Sequence, residues 1–167
     1  MLTFETVLGP CGASWSAAGI TGVELPSRVT RAAAGPPPAT VPDFVVVAVA
    51  GMTAVLAGED ADLRAIPLDE RGIDSFRRAV YAATREIRPG STASYGEIAK
   101  AIGLENGARD VGAALSRNPF PIIVPCHRVI AANGALTGFS AAGGLATKRR
   151  MLELEGAPGF GQQLLFG

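Results

Sequence analysis

Ser94-Tyr95-Gly96-Glu97-Ile98-Ala99-Lys100-Ala101-Ile102-Gly103 is a short helix with both ends written into it. Serine followed three residues later by glutamate has capping-box spacing, Ile98 and Ile102 make a buried pair one turn apart, and Gly103 is a stop. Upstream, Asp74 caps a helix whose Phe76, Val80, Ala83, Thr84 and Ile87 share one face. Arg77, Arg78, Arg85 and Arg88 lie off that face, and Pro89-Gly90 ends the helix. Downstream, Asn106 can cap a third helix, which is expected to bury Ala108, Val111 and Leu115. A longer helix followed by two short ones across a tight turn suggests a helix-turn-helix. On the outer face of the third helix, Arg109 heads a smooth strip of Gly112, Ala113 and Ser116. Such a strip suits entry into a narrow groove, and it suits packing against another helix equally well.

The first half reads differently. Residues 2–7, 13–17 and 20–25 are short strand segments separated by Gly-Pro-Cys-Gly and Ala-Gly, the pattern of an antiparallel meander. Residues 26–43, with Pro36-Pro37-Pro38, make an exposed loop. Phe44 to Ala57 is apolar nearly all round and fits a buried helix or a buried strand, and Leu63 to Gly72 reads as a last strand and linker.

At 48% apolar and 18% charged, the 167 residues can bury a core and rule out global disorder. Charge is balanced overall but not locally. Residues 1–74 carry four basic against nine acidic side chains, and residues 75–156 carry eleven against six. That asymmetry is a reason to look for a polyanion partner of the second half. Two cysteines make no disulfide scaffold, and a single histidine excludes a multi-histidine site, so no metal or cofactor is expected. The longest apolar run, nine residues from Phe44, falls short of the about 20 needed to cross a membrane. With no signal-peptide pattern at Met1 to Glu5, the expected setting is reduced and cytoplasmic.

The densest chemistry lies in Asn118-Pro119-Phe120-Pro121-Ile122-Ile123-Val124-Pro125-Cys126-His127-Arg128-Val129. Ile122 to Val124 reads as a buried strand that Pro125 stops just before the cysteine. A thiol reacts as thiolate, and a neighbouring base oriented by a carboxylate supplies that form. His127 is the one candidate imidazole; Glu153 and Glu155 are both candidate orienters, and spacing does not separate them.

Pro125-Cys126-His127-Arg128-Val129, with Asn118-Pro119 before it, resembles the active-site signature of the O6-alkylguanine-DNA alkyltransferases. The likeness runs upstream through Ser94 to Ala99 and Ala108 to Gly112, and downstream through Thr137-Gly138-Phe139-Ser140 and Lys148 to Gly156. It spans about residues 72–156. Residues 1–70 match in general layout alone.

The resemblance implies an α/β (α+β) chain. Residues 1–71 would be a small antiparallel sheet-plus-helix domain, RNase H-like. Residues 72–167 would be a mainly helical, winged-helix-like domain carrying the helix-turn-helix and the cysteine. It implies a single-turnover methylated-DNA–protein-cysteine methyltransferase, a monomer that binds double-stranded DNA through the minor groove and flips the damaged base. The alkyl group of guanine O6, and of thymine O4, would pass irreversibly to Cys126. His127 would act through a water as base, oriented by Glu155. Asn118 would brace the helix-turn-helix against the active-site strand, and Tyr95 would help rotate the nucleotide and protonate the leaving guanine. Arg109 would fill the gap in the base stack. Ser94, Tyr95, Gly112, Ala113, Arg117 and Arg128 would also face DNA, with Val129, Phe139 and Ser140 lining the guanine pocket. Three departures stand out: Phe139 replaces the usual tyrosine, the Ser140–Gly144 loop is longer, and Asp110 follows the finger arginine. The alternatives are a non-transferring damage sensor, which in known relatives lacks the cysteine, and a thiol hydrolase, which would leave the helices unexplained.

Overall fold

The computed structural model describes residues 1–29, 36, 38–138 and 143–161. The meander forms as expected: β1 (Leu2–Thr6), β2 (Gly9–Ser16) and β3 (Gly19–Glu24) pair antiparallel in the order β1-β2-β3. Gly9-Pro10-Cys11-Gly12 is not the separator but the start of β2. Pro10 pairs with Glu5 of β1, and β3 joins β2 only from Gly12, so the missing N–H faces no second neighbour.

The stretch that fits helix or strand is a helix, α1 (Asp43–Leu56). Val45, Ala48, Met52 and Val55 follow a helical stripe, and all four are fully buried against the sheet. Val46 and Val47 stay exposed, so an all-round apolar sequence is buried on one side alone. Asp43, expected in the loop, opens this helix. Residues 30–35 and 37 of the proline-rich segment lie outside the described residues.

No strand forms over Leu63 to Gly72. One parallel bridge, Leu68 to Ile20, replaces it: the Ile20 N–H donates to the Pro67 carbonyl at 2.9 Å and Asp69 N–H to the Ile20 carbonyl at 2.8 Å. Pro67 brings no N–H of its own to extend a ladder.

α2 (Ser75–Arg85) is capped by Asp74, whose carboxylate accepts from the Arg77 N–H at 2.9 Å, and it ends before Pro89. Its buried face includes Tyr81, whose hydroxyl donates to the Ala114 carbonyl at 2.9 Å and whose ring meets Phe120 edge-on. α3 (Tyr95–Ala101) carries the full capping box: Glu97 N–H donates to Ser94 Oγ at 3.0 Å, and Ser94 N–H to Glu97 Oε2 at 2.6 Å. α4 (Ala108–Ser116) buries Val111, Ala114 and Leu115. Ala108 is exposed, contrary to expectation, and Gly107 rather than Asn106 precedes the first turn, because Asn106 sits at φ +54° in the left-handed region.

A two-residue strand, β4 (Ala93–Ser94), pairs parallel with β5 (Val129–Ile130), and α5 (Gly144–Leu154) closes the second half. Buried apolar side chains from Cys11 to Met151 form one cluster drawn from both halves.

Candidate active site

Cys126 is delivered by a turn, not by a strand. Ile122 to Val124 is buried yet irregular: Val124 N–H donates to the Phe120 carbonyl at 2.8 Å, and Ile122 sits at φ +76°. A β-branched residue there carries strain on the order of 1–3 kcal/mol, which tight burial of Ile122 and Ile123 sustains. Asn118 holds the turn from both sides. Its amide donates to the Val124 carbonyl at 2.9 Å, and its Oδ1 accepts from Phe120 N–H at 2.9 Å. Pro125 then leads into one 3-10 turn, Cys126–Arg128, which presents the cysteine, the histidine and the arginine in succession.

His127 is 1% exposed, and its Nε2 lies 2.7 Å from Glu155 Oε1. Glu155 is the residue at the C-terminal end of α5, while Glu153 faces Arg150 at 3.7 Å, so the tertiary structure selects Glu155. Among the described residues, His127 Nδ1 is a buried nitrogen with no hydrogen-bond partner. With Nε2 donating to the carboxylate, Nδ1 is left as the basic nitrogen.

The expectation that Arg128 faces DNA is corrected. Arg128 is 4% exposed; its guanidinium donates to both oxygens of Glu155 and to the Ile87 carbonyl at 2.6 Å. A buried carboxylate needs a countercharge, and Arg128 supplies it. Burial opposes the charge on Glu155, but His127 and Arg128 outweigh it and hold the carboxyl at about 2. Burial lowers the His127 imidazole below its ordinary value against the pull of Glu155. Burial also raises the Cys126 thiol, against the Asn118 hydrogen bond and the Lys148 charge. At rest the pair is therefore a neutral thiol beside a neutral base.

The outer face of α4 is open. Arg109, Ala113 and Ser116 are exposed, and Gly112 is half-buried. A side-chain carbon added at Gly112 would lie 3.8 Å from the Tyr95 ring, an ordinary contact, so packing does not demand glycine there. Arg117 is exposed at the end of the helix, and Asp110 lines a shallow groove with Arg77, Ala113 and Arg117. Ser94 spends its oxygen on the capping box, and Val129 is buried, with its carbonyl facing inward. Phe139 and Ser140 lie outside the described residues.

A model of the 6-O-methylguanine DNA methyltransferase DNA-binding domain matches residues 75–157, from α2 to just beyond Glu155. The solved structure of Mycobacterium tuberculosis O6-methylguanine methyltransferase is 38% identical, covers 92% of this chain and 90% of its own, and superposes with a TM-score of 0.74. The chain belongs to the O6-methylguanine-DNA methyltransferase family. A second structure, M. tuberculosis OGT in complex with DNA, is 39% identical over 95% of this chain and 94% of that one, with the same TM-score. By sequence, the methylated-DNA–protein-cysteine methyltransferase of M. tuberculosis (strain H37Rv) is 50% identical over 108 residues, 65% of this chain and 63% of that relative.

Within this member of the methyltransferase family, one residue stands out that sequence reasoning passed over. Lys148 is fully buried, its ammonium donating to the Val129 carbonyl at 2.6 Å, the Thr137 carbonyl at 3.0 Å and Tyr95 Oη at 3.3 Å. Tyr95 Oη in turn donates to the Thr137 carbonyl at 2.8 Å. Lys148 thus ties Tyr95 of α3 to the segments flanking the site. Lys148, Met151 and Leu152 are the buried stripe of α5, spaced i, i+3, i+4, and that spacing was the available signal.

Proposed function

We propose that this chain repairs DNA by moving an alkyl group from guanine O6 to its own Cys126. The observation that carries the reading is the His127–Glu155 contact of 2.7 Å immediately beside the cysteine, with Nδ1 unpartnered among the described residues. His127 takes the Cys126 proton, through a bridging water. The thiolate attacks the alkyl carbon in line, an S–C bond forms and the C–O6 bond breaks. The electron pair leaves on guanine, which takes a proton from Tyr95, and the proton held by the His127 imidazolium passes back through water to restore Tyr95. The sum is thiol plus O6-alkylguanine giving thioether plus guanine, with no external reductant or cofactor. A thioether is not readily reversed, so each molecule acts once.

DNA binding rests on the second half. α3 and α4 serve as a helix-turn-helix within a DNA-binding unit of residues 72–167, residues 1–71 forming a supporting unit. Arg109 on the open face of α4 enters the minor groove and replaces the extruded base, with Gly112 and Ala113 allowing the approach and Arg117 meeting phosphate. The M. tuberculosis relative solved in complex with DNA supports this reading. Asn118 braces the active-site turn, Ser94 faces DNA, and the backbone at Val129 borders the guanine. We extend the substrate to thymine O4 and place the protein as a monomer in the cytoplasm, in keeping with its free cysteines.

Intact mass spectrometry after mixing with a duplex carrying one O6-methylguanine tests the reading. The expected result is a single gain of about 14 Da mapping to Cys126. Repaired DNA beside an unmodified Cys126 peptide refutes it.

A further inference from the structure

Asp110 is an exposed carboxylate in the first turn of α4, one residue beyond Arg109. Among the described residues it makes no hydrogen bond and no ion pair. Arg77 and Arg117 border the same recess between α2 and α4, but the Arg77 guanidinium is held by the Asp74 carboxylate at 2.8 Å. Ala113, one turn on from Asp110, lines this recess and also belongs to the small-residue strip, so the carboxylate stands at the edge of the strip. A negative charge in the first turn complements the helix dipole, and Gly107 supplies no side-chain cap there. That benefit concerns stability alone. Against DNA the same charge is a cost, because it meets phosphate with its own sign.

One feature of the minor groove reverses that cost. Adenine, thymine and cytosine present only acceptors there, and the single donor is the N2 amine of guanine. An ionised carboxylate is an acceptor alone, so it is repelled at every pair except one that carries this amine. We infer that Asp110 reads the base pair beside the lesion by accepting from the guanine N2 amine, so that repair is fastest where a G·C pair flanks the alkylated base. This rests on entry of Arg109 into the minor groove as proposed above, since the same turn of α4 then carries Asp110 to the neighbouring step.

The test uses duplexes that carry one O6-methylguanine and differ only in a flanking pair, guanine·cytosine or inosine·cytosine, placed on each side of the lesion in turn. Inosine is guanine without the N2 amine. Its weaker pairing eases extrusion of the neighbouring base, so duplex stability by itself favours the inosine duplex. Wild type is expected to transfer the methyl group about fivefold or more faster from the guanine-flanked duplex on one side, the low end of discrimination by a base-edge contact. Asp110→Ala brings that ratio to about 1 or below, and so does Asp110→Asn, whose amide can donate to the groove acceptors at either pair. Wild type alone decides should neither variant fold: equal rates, or a faster inosine duplex, on both sides of the lesion overturn the inference. A guanine preference that survives both substitutions also overturns it and leaves Asp110 as a helix-dipole residue. Absence of methyl transfer from every duplex overturns the proposed function itself, and the inference with it.

Discussion

Arg128 and Glu155 are each other's reason for being buried. Removing the guanidinium leaves a carboxylate sealed from water, so Arg128→Ala is expected to destabilise the protein by about 3–5 kcal/mol in a urea melt. A loss below about 1 kcal/mol would mean the pair is not buried in solution. The same coupling makes Glu155→Gln a stability variant as well as a relay variant, whereas His127→Ala removes the base and leaves the Arg128–Glu155 pair standing. His127→Ala should therefore slow transfer strongly while duplex affinity stays nearly unchanged. The pH profile has a definite sign. Burial keeps His127 below its ordinary 6.5 and the Cys126 thiol above its ordinary 9.0, so the imidazole is neutral from about pH 6.5 upward. The transfer rate should then rise with pH through neutrality toward 9, limited by the thiol. A rate that is flat or falling over that range would remove His127 and Cys126 as the proton-transfer pair.

Among the elements, α4 carries the sharpest expectation. Arg109 stands on the solvent face of α4, so its loss should affect entry of the base and not the chemistry. Arg109→Ala should slow repair of duplex DNA strongly yet leave reaction with a free O6-substituted guanine nearly unchanged, read as the ratio of the two rates. Equal losses would make Arg109 a support of the fold. The basic excess of the second half shrinks on folding, because several of its cations are committed internally. Arg88 pairs with Asp60 and Asp62, Arg77 with Asp74, Arg85 binds the Leu63 and Ile66 carbonyls, and Arg128 and Lys148 are buried. Lys100, Arg109 and Arg117 are among those left exposed for a polyanion.

For the whole molecule, the depressed Glu155 carboxyl links stability to pH. Its pKa falls from 4.5 to about 2 on folding, so its contribution is complete above 4.5 and is lost as pH falls through about 2. At about 1.4 kcal/mol per unit, the contribution is at most about 3–4 kcal/mol. Acid melts should show that loss between those values in wild type and much less of it in Glu155→Gln. What the sequence determined by itself was local. The Asp74 and Ser94 caps, the meander, the α4 strip and the Cys126-His127-Arg128 run depend on residues a few positions apart, where helix and strand periods and capping bonds act. Tertiary structure decided what depends on residues far apart in the chain. It made Phe44 to Ala57 a helix on a sheet, and turned Ile122 to Val124 from a strand into a strained turn held by Asn118. It chose Glu155 over Glu153, took Arg128 from the DNA face into the core, and buried Lys148 beneath Tyr95. In each case burial and partner geometry outweighed local preference, because a desolvated charge or an unpaired backbone group costs more than one residue's propensity for helix or strand.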